Sequence, residues 1–384
     1  MNNFKIYNRL FKFPVSQKSC FLFGPRGVGK SFWLRRKFKN CIYIDLLESE
    51  TYFKLLSSPE RLITYIPKDC SDYIIIDEIQ KIPKLLDEVH RLIENYNYHF
   101  ILTGSSSRKL KKQETNLLAG RALTLFMYPL CIEELADDFN LDHSIKYGHL
   151  PCAYTESNPE AYLKSYVGTY LKEEVLQEGL TRNLGTFSKF LETASFSQGQ
   201  TINMSDIARE CHLNRKLVES YFSILEDLLL AARLPVFTKK AKRRMIAHPK
   251  FYFFDVGVFR VLRPKGPLDS PMEIEGPALE TLLLQELRAM NEYYNAGYEI
   301  YYWRTSNQEE VDFVLYGEKG IHAIEIKRKF KYMNKDLKSL ELFLKDYPMS
   351  NAYLVYGGNQ KFYEKNITII PIKEFFMNLS KIFT

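Results

Sequence analysis

Gly24, Gly29, Lys30 and Ser31 stand at the spacing G-x-x-x-x-G-K-[ST], which suits one piece of chemistry, the grip of a backbone loop on phosphate oxygens. Glycines let such a loop wrap until its amide N–H groups point inward, and a helix starting near Lys30 adds the positive end of its dipole. The stretch Gly24, Pro25, Arg26, Gly27, Val28, Gly29, Lys30, Ser31 and Phe32 is therefore expected to cradle a nucleotide. Lys30 reaches the β- and γ-phosphates, and the Ser31 hydroxyl offers Mg²⁺ a hard oxygen ligand.

A pair of acids forms the complement. Tyr73 to Glu78 reads as a strand buried on both faces that ends in Asp77 and Glu78. Ligands of open α/β sheets bind at that end of a strand. There Asp77 is placed to hold Mg²⁺ through water, and Glu78 to act as base on the attacking water. A helix-capping acid followed by a solvated glutamate is the plain alternative. His99 to Ser107 repeats the format, an apolar strand running into small polar residues. Ser105 is the candidate γ-phosphate sensor, with an ordinary turn built on Ser105, Ser106 and Ser107 equally open. Arg121, just before an apolar strand from Ala122 to Met127, has two readings, an arginine finger or a salt-bridge partner.

These residues need a parallel α/β sheet to position them. Cys20 to Phe23 enters the loop as a buried strand, Phe32 to Arg36 leaves it as a helix, and Ile42 to Asp45 is another short strand. In the order FLFGPRGVGKS, YIIIDEIQKIP, FILTGSSSRKL and LAGRALTLFMYPLCIEEL, the chain resembles the prokaryotic AAA-type ATPases whose C-terminal half is catalogued as a domain of unknown function. The resemblance runs motif by motif over residues 15 to 135 and more loosely to about residue 330. It implies an ASCE-type P-loop fold, with ATP rather than GTP as the nucleotide. The lack of an N-K-x-D-type guanine element agrees with that.

At 384 residues the chain is too long for one ordinary core. The expected division is an ATPase core over 1–146, a helical lid or connector over 147–195, a winged helix over 196–262 and an α/β domain over 263–384. Hydrophobic residues at 46% and charged residues at 26% are ordinary for a globular protein. No apolar run approaches the ~18 residues of a membrane span. The first twenty residues hold charges and no apolar core, so a cytoplasmic protein without a membrane partner is expected. Residues 1 to 19 read as a lead-in packing near the base or the nucleotide. Six scattered cysteines suggest reduced thiols.

Tyr162, Tyr166 and Tyr170 form one stripe of the connector. Residues 203 to 222 have the spacing of two short helices broken by a tight turn, with Ser205 and Asn214 as N-caps. A wing would follow at Val236 to Arg244, where Lys239, Lys240, Lys242, Arg243 and Arg244 concentrate the positive excess of a chain of net charge +7. With Arg215 and Lys216 these cations suit a nucleic-acid backbone. Packing of the module on its own core or on a protein partner, or in a homo-oligomer, is the other reading.

Farther on, a helix is expected from Gly276 to Met290, after a linker from Arg263 to Pro271. Glu280 lies on its apolar stripe and needs a partner. If Gly317 to Gly320 is a hairpin loop, Tyr316 pairs with Ile321 and Asp312 falls opposite Glu325, with Lys327 on the same face. Carboxylates so placed repel unless a cation lies between them, so Asp312→Asn is expected to stabilise the metal-free protein. The constellation is similar to the D…E-x-K site of restriction-endonuclease-like nucleases, where two acids hold Mg²⁺ and the lysine orients the water. The ATPase family named above often carries such a module, which makes Glu280 its helix acid. One departure is Val311 where that pattern has proline.

The sequence thus reads as an α/β protein with a P-loop core, a winged helix and a restriction-endonuclease-like domain, hydrolysing ATP with Mg²⁺ to act on nucleic acid. The alternative is a nucleotide-dependent switch whose C-terminal parts bind a protein partner and whose nuclease-like fold is inactive.

Overall fold

Unbroken apolar runs such as Ile74–Ile76 mark strands covered on both faces, and a parallel sheet provides that cover. In the computed structural model five strands form it: β1 (Ser19–Phe23), β2 (Ile42–Asp45), β3 (Tyr73–Asp77), β4 (His99–Gly104) and β5 (Ala122–Phe126). Their order is β2-β3-β4-β1-β5, and every neighbouring pair is parallel. The structure describes residues 5–13, 18–106, 118, 121–171, 184–239, 245, 248–267 and 269–384. Ser107, Lys240, Lys242, Arg243, Arg244 and the side chain of Tyr170 lie outside the described residues.

The chain divides into two compact units. One comprises Phe11–Pro129 with Asp227–Leu229, the other Met1–Leu10, Leu130–Glu226 and Leu230–Thr384. In the first, Phe21, Phe23, Ile74, Ile76 and Leu102 meet Leu85, Val89 and Leu92 of the helix Leu85–Tyr96 in one core. Phe13 packs edge-on against Phe38 and Tyr73, and Phe11 against Trp33. Because the strands are parallel, the carboxyl ends of β1, β3 and β4 arrive at one edge. β4 lies between β1 and β3, the inserted position its motif suggested.

The sheet unit stops at Pro129, short of the residue 146 expected. The reason is where the next hydrogen bonds go. Ile132 N–H donates to Glu286 at 3.0 Å, and Glu134 accepts from Arg9 Nε at 3.0 Å and Leu10 N at 2.6 Å. All of these residues belong to the second unit, so Arg9 and Leu10 depart from the lead-in role expected for residues 1 to 19.

In the second unit three helices, Leu184–Ser195, Met204–Cys211 and Arg215–Asp227, precede an antiparallel ribbon of β6 (Ala231–Leu234) and β7 (Lys250–Phe253). Asn214 caps as expected, accepting from Leu217 N at 2.8 Å. The other cap is Asn203, whose side chain accepts from the N–H groups of Ser205 and Asp206, which places Ser205 inside the helix. Of the segment expected to project as a wing, the described residues 236–239 are docked instead. Phe237 N–H donates to Tyr302 O at 2.7 Å and Tyr302 N–H to Pro235 O at 3.0 Å. Phe237 is buried against Tyr301, Tyr316, Phe343 and Tyr347. Lys239 pairs with Glu299 and lies 4.1 Å from the Tyr316 ring. A phenylalanine held out in water would forfeit the burial that this docking gains.

The sheet receiving it has six strands in the order β12-β13-β11-β10-β9-β8. They are β8 (Glu299–Arg304), β9 (Glu310–Gly317), β10 (Gly320–Lys327), β11 (Asn351–Tyr356), β12 (Phe362–Glu364) and β13 (Ile367–Pro371). The expected hairpin forms, with Tyr316 facing Ile321 and Gly317 facing Gly320. The helix Asn334–Asp346 covers one face through Leu337, Leu340 and Phe343. The helix expected at Gly276 begins at Pro271 and runs to Tyr293, because Ser270 and Glu273 form a capping box there. Pro277 sits inside it.

His322 on β10 is buried, with Nε2 3.1 Å from the Tyr298 hydroxyl and Nδ1 without a partner among the described residues. Desolvation pushes its pKa from 6.5 down to about 4. A depressed histidine pKa means the unfolded chain takes the proton first, so stability present above pH 6.5 is lost as pH falls toward about 4. Melting temperature should fall over that window, and His322→Phe should flatten the fall. An identical pH slope in the variant would assign the loss to other groups.

Candidate functional site

The phosphate loop owes its shape to two glycines. Gly29 has φ +94°, a left-handed value open to glycine at little cost, and it is the N-cap of the helix Lys30–Lys37. A Cβ on Gly24 would stand 2.3 Å from the carbonyl oxygen of Met127, so side chains are excluded there by the end of β5. The helix has no acid in its first turn and carries Arg35, Arg36 and Lys37 in its last, leaving its N-terminus free to attract an anion. Lys30 folds back over the loop, with Nζ donating to Gly24 O at 2.7 Å and Pro25 O at 3.1 Å. Pro25 and Val28 are buried, Arg26 and Gly27 are partly exposed, and Phe32 is exposed beneath the Arg36 guanidinium.

Asp77 is buried at the end of β3. One carboxylate oxygen accepts from Thr103 Oγ1, the other from the Tyr43 hydroxyl at 2.5 Å. The Tyr43 hydroxyl also meets Ser31, and burial together with Asp77 pushes its pKa up. The Ser31 hydroxyl and the Asp77 carboxylate are hard oxygens of the kind Mg²⁺ takes. Arg35 lies 3.8 Å from the Tyr43 ring and pairs with Asp45 at 3.0 Å.

Glu78 follows in the left-handed region, φ +61°, an uncommon conformation for a side chain of this size. Its N–H donates to Thr103 Oγ1 at 3.3 Å, and its carboxylate accepts from Gln80 Nε2. The same Gln80 amide is 3.1 Å from Ser105 Oγ. Asp77, Glu78 and Ser105 therefore come together, joined by Thr103 and Gln80.

Arg121 stands elsewhere. Ala122 pairs with Ser19 at the opposite end of the sheet, so a five-residue strand, roughly 13 Å, separates Arg121 from the loop end of β1. It pairs with Glu94. On its own chain it does not reach the phosphate site.

Tyr43, Thr103 and Gln80 were not singled out on the sequence. In-register parallel strands align Tyr43 with Ile75 and Asp45 with Asp77. That alignment becomes a signal only once β2 is known to lie beside β3.

A second cluster lies in the other unit. Beyond the last paired residues, Phe313 and Ile324, the register brings Asp312 opposite Glu325 as expected. Ile326 N–H donates to Asp312 Oδ2 at 2.9 Å, and Asp312 N–H to Glu325 Oε2 at 3.3 Å. Lys327 Nζ is 2.6 Å from Glu325 and 3.9 Å from Asp312. The residue the sequence reading missed is Lys250 on β7, 2% exposed, whose Nζ pairs with Glu310 and lies 3.7 Å from Glu280 and 3.9 Å from Asp312. Tyr252 donates to Glu280 at 2.8 Å.

Burial raises Glu280 to about 7 against the pull of Lys250. Burial and Asp312 raise Glu325 to about 8 against Lys327. Burial works against the Lys250 ammonium, but Glu280, Asp312 and Glu310 outweigh it and raise its pKa. The cation the acids need is thus supplied by lysine. Asp312 and Glu325, the two acids expected to hold a metal ion, each lie within 4.0 Å of Lys327. Arg215 and Lys216 are exposed at the start of their helix, Arg215 paired with Glu219 at 2.9 Å.

Residues 16–136 match the family model of an AAA domain. Residues 139–269 and 275–375 match two domains of unknown function, DUF8612 and DUF4143. An uncharacterized protein of Mycobacterium tuberculosis is 25% identical over 303 residues, 76% of this chain and 66% of the relative. One of Methanocaldococcus jannaschii is 24% identical, covering 94% of this chain and 87% of the relative. The chain therefore spans just under two thirds of the mycobacterial relative it matches. Among solved structures, the Aeropyrum pernix ORC1 protein in complex with DNA shares 13% identity, covering 70% of this chain and 88% of that one at a TM-score of 0.26. Protein VC1899 from Vibrio cholerae shares 13%, covering 95% and 98% at 0.23. Scores this low carry no argument about fold. No helix among the described residues is long and apolar enough to cross a membrane. The first unit thus carries both the match to an AAA domain and a parallel sheet with the phosphate loop following β1.

Proposed function

We propose that this domain binds ATP and hydrolyses it with Mg²⁺. The observation that carries the reading is the phosphate loop following β1, with Lys30 folded over it, on the same edge of the parallel sheet as the buried Asp77 at the end of β3, with Glu78 next along the chain. Loop amides and Lys30 bind the phosphates, and Lys30 leaves its carbonyl partners for phosphate oxygens. Ser31 and Asp77 are the residues that would hold Mg²⁺, which when bound neutralises charge on the phosphates. Glu78 accepts the proton of the attacking water, oriented by Gln80. Ser105 contacts the terminal phosphate through the edge that Thr103 and Gln80 assemble. Arg121, on the far end of the sheet, acts as a finger only on the nucleotide of a neighbouring copy.

The winged-helix reading of 196–262 supports action on nucleic acid through the exposed Arg215 and Lys216. Arg215 pairs with Glu219 and Lys239 with Glu299 across exposed surface, pairs weak enough to yield to a phosphate backbone. If Arg215 and Lys216 contact phosphates, replacing both with Gln should lower the log-log salt slope of DNA binding by about two units. An unaltered slope would move the interface elsewhere.

Lys30→Ala should abolish ATP binding or turnover. Glu78→Gln should keep ATP bound while turnover drops ~10²–10⁴-fold, the usual worth of a general base. Nucleotide titration and phosphate release measured on both variants check this. Loss of ATP binding in Glu78→Gln would make Glu78 structural.

Lys250 favours a second reading for the C-terminal part, a nuclease-like fold acting as a scaffold without metal-dependent cleavage. Lys250 among Glu280, Glu310 and Asp312 also reverses the expectation for Asp312→Asn: removing that acid now removes a partner from two lysines and should destabilise the protein. Removing one member of a buried pair typically costs ~3–5 kcal/mol, so Lys250→Met should lower the melting temperature strongly. Millimolar Mn²⁺ should leave the melting curve of the Lys30→Ala protein in place. A metal-dependent rise there would restore the nuclease reading.

A further inference from the structure

In the second unit, a cavity of about 260 Å³ opens between the helix Leu141–Tyr147, the helix Pro159–Ser165 and the end of the helix Val256–Leu262. Its wall is basic. Lys146, Lys164, Arg260, Arg263 and Lys265 line it, against one acid, Glu160. Two of the cations are committed, Lys164 to Glu160 at 2.8 Å and Arg263 to Asp269 at 3.0 Å. Among the described residues no carboxylate lies within 4.0 Å of the charged groups of Lys146, Arg260 or Lys265. Glu275, the acid acting on Arg260 from a distance, is paired with Arg328.

Among the described residues the Nε atoms of Arg260 and Arg263 have no hydrogen-bond partner, and because both are hidden from solvent it is the terminal guanidinium nitrogens that can meet a bound anion. A buried donor without an acceptor costs free energy, and for a charged group the cost is larger. Burial and Arg328 lower the Arg260 pKa, the opposite of what an arginine beside a carboxylate shows. The site is rigid where it needs to be. Asp255 accepts from His149 N at 2.8 Å, Gly257 N at 2.8 Å and Val258 N at 3.2 Å, fixing the helix that carries Arg260 against the segment that follows Lys146.

We propose that this cavity binds a compact phosphate group, free as pyrophosphate or borne at the end of a larger molecule. Guanidinium and ammonium donors from three elements converge on it, which is the chemistry phosphate oxygens require. The cavity, about 260 Å³ and open to solvent on one side, suits a compact anion. Its lining shares no residue with the phosphate loop, and the proposal is independent of the ATPase reading.

Calorimetric titration of pyrophosphate into full-length Lys30→Ala protein reads the cavity with the phosphate loop disabled. Binding is expected to persist there and to weaken about tenfold or more on adding Arg260→Gln. Lys265→Gln, on the exposed surface, should weaken it by a smaller factor with an unchanged melting curve, which keeps the test valid if Arg260→Gln fails to fold. Absence of binding in Lys30→Ala, or affinity indifferent to both added changes, overturns the proposal. Competition identifies the source. Displacement of pyrophosphate by a 5′-phosphorylated oligonucleotide, and not by its 5′-hydroxyl form, assigns the phosphate to a nucleic-acid end. Failure of both to displace it assigns a small molecule.

Discussion

Parallel alignment of β1, β3 and β4 is the constraint on which the nucleotide site rests. The phosphate loop, Asp77 and the polar end of β4 are separated by long stretches of chain, and only parallel strands deliver all three to one edge. Apolar runs buried on both faces hold that alignment, so the core residues Phe21, Ile76 and Leu102 set where Lys30, Asp77 and Thr103 stand. The polar network then removes the remaining freedom. Thr103 bonds both the Asp77 carboxylate and the Glu78 N–H, which ties the acidic strand to its neighbour through one hydroxyl.

The larger unit solves a different electrostatic problem. Four acids, Glu280, Glu310, Asp312 and Glu325, approach one another from a helix and a hairpin. Two lysines from different parts of the chain offset part of that charge, Arg304 pairs with Glu310 at 3.3 Å, and burial raises the Glu280 and Glu325 carboxyls toward their neutral form. An ammonium is delivered by its own backbone, so the share that Lys250 supplies requires β7 to lie against the hairpin. Lys250 therefore couples the three-helix segment to the C-terminal sheet by chemistry as well as by packing.

Much of this was legible because some features depend on local chain. The phosphate loop is contiguous, and the four residues Gly317–Gly320 set the hairpin register by counting, which delivered Asp312 opposite Glu325. Tyr43 and Lys250 were not legible because their partners lie on other elements, chosen by tertiary packing. Gly276 and Pro277 read as a helix start because both usually break helices, but the capping box at Ser270 outweighs them. Asn203 displaced Ser205 as cap because its amide oxygen reaches two N–H groups. Val236 and Phe237 resembled part of a wing until the Phe237 ring found a pocket beneath β8.

That docking has a consequence for how the protein behaves as a material. β8 is the last strand of its sheet, and strands in that position tend to recruit foreign chains through their unpaired backbone groups. Pro235 and Phe237 occupy two of those groups, and the bridge from Met245 to Thr305 covers more of the row. At the opposite border β12 is only three residues long, too short to template much. A fragment cut after the ribbon would uncover β8 and gain a sticky edge. The linker that looks like the natural place to divide this protein is thus the place where dividing it would invite aggregation.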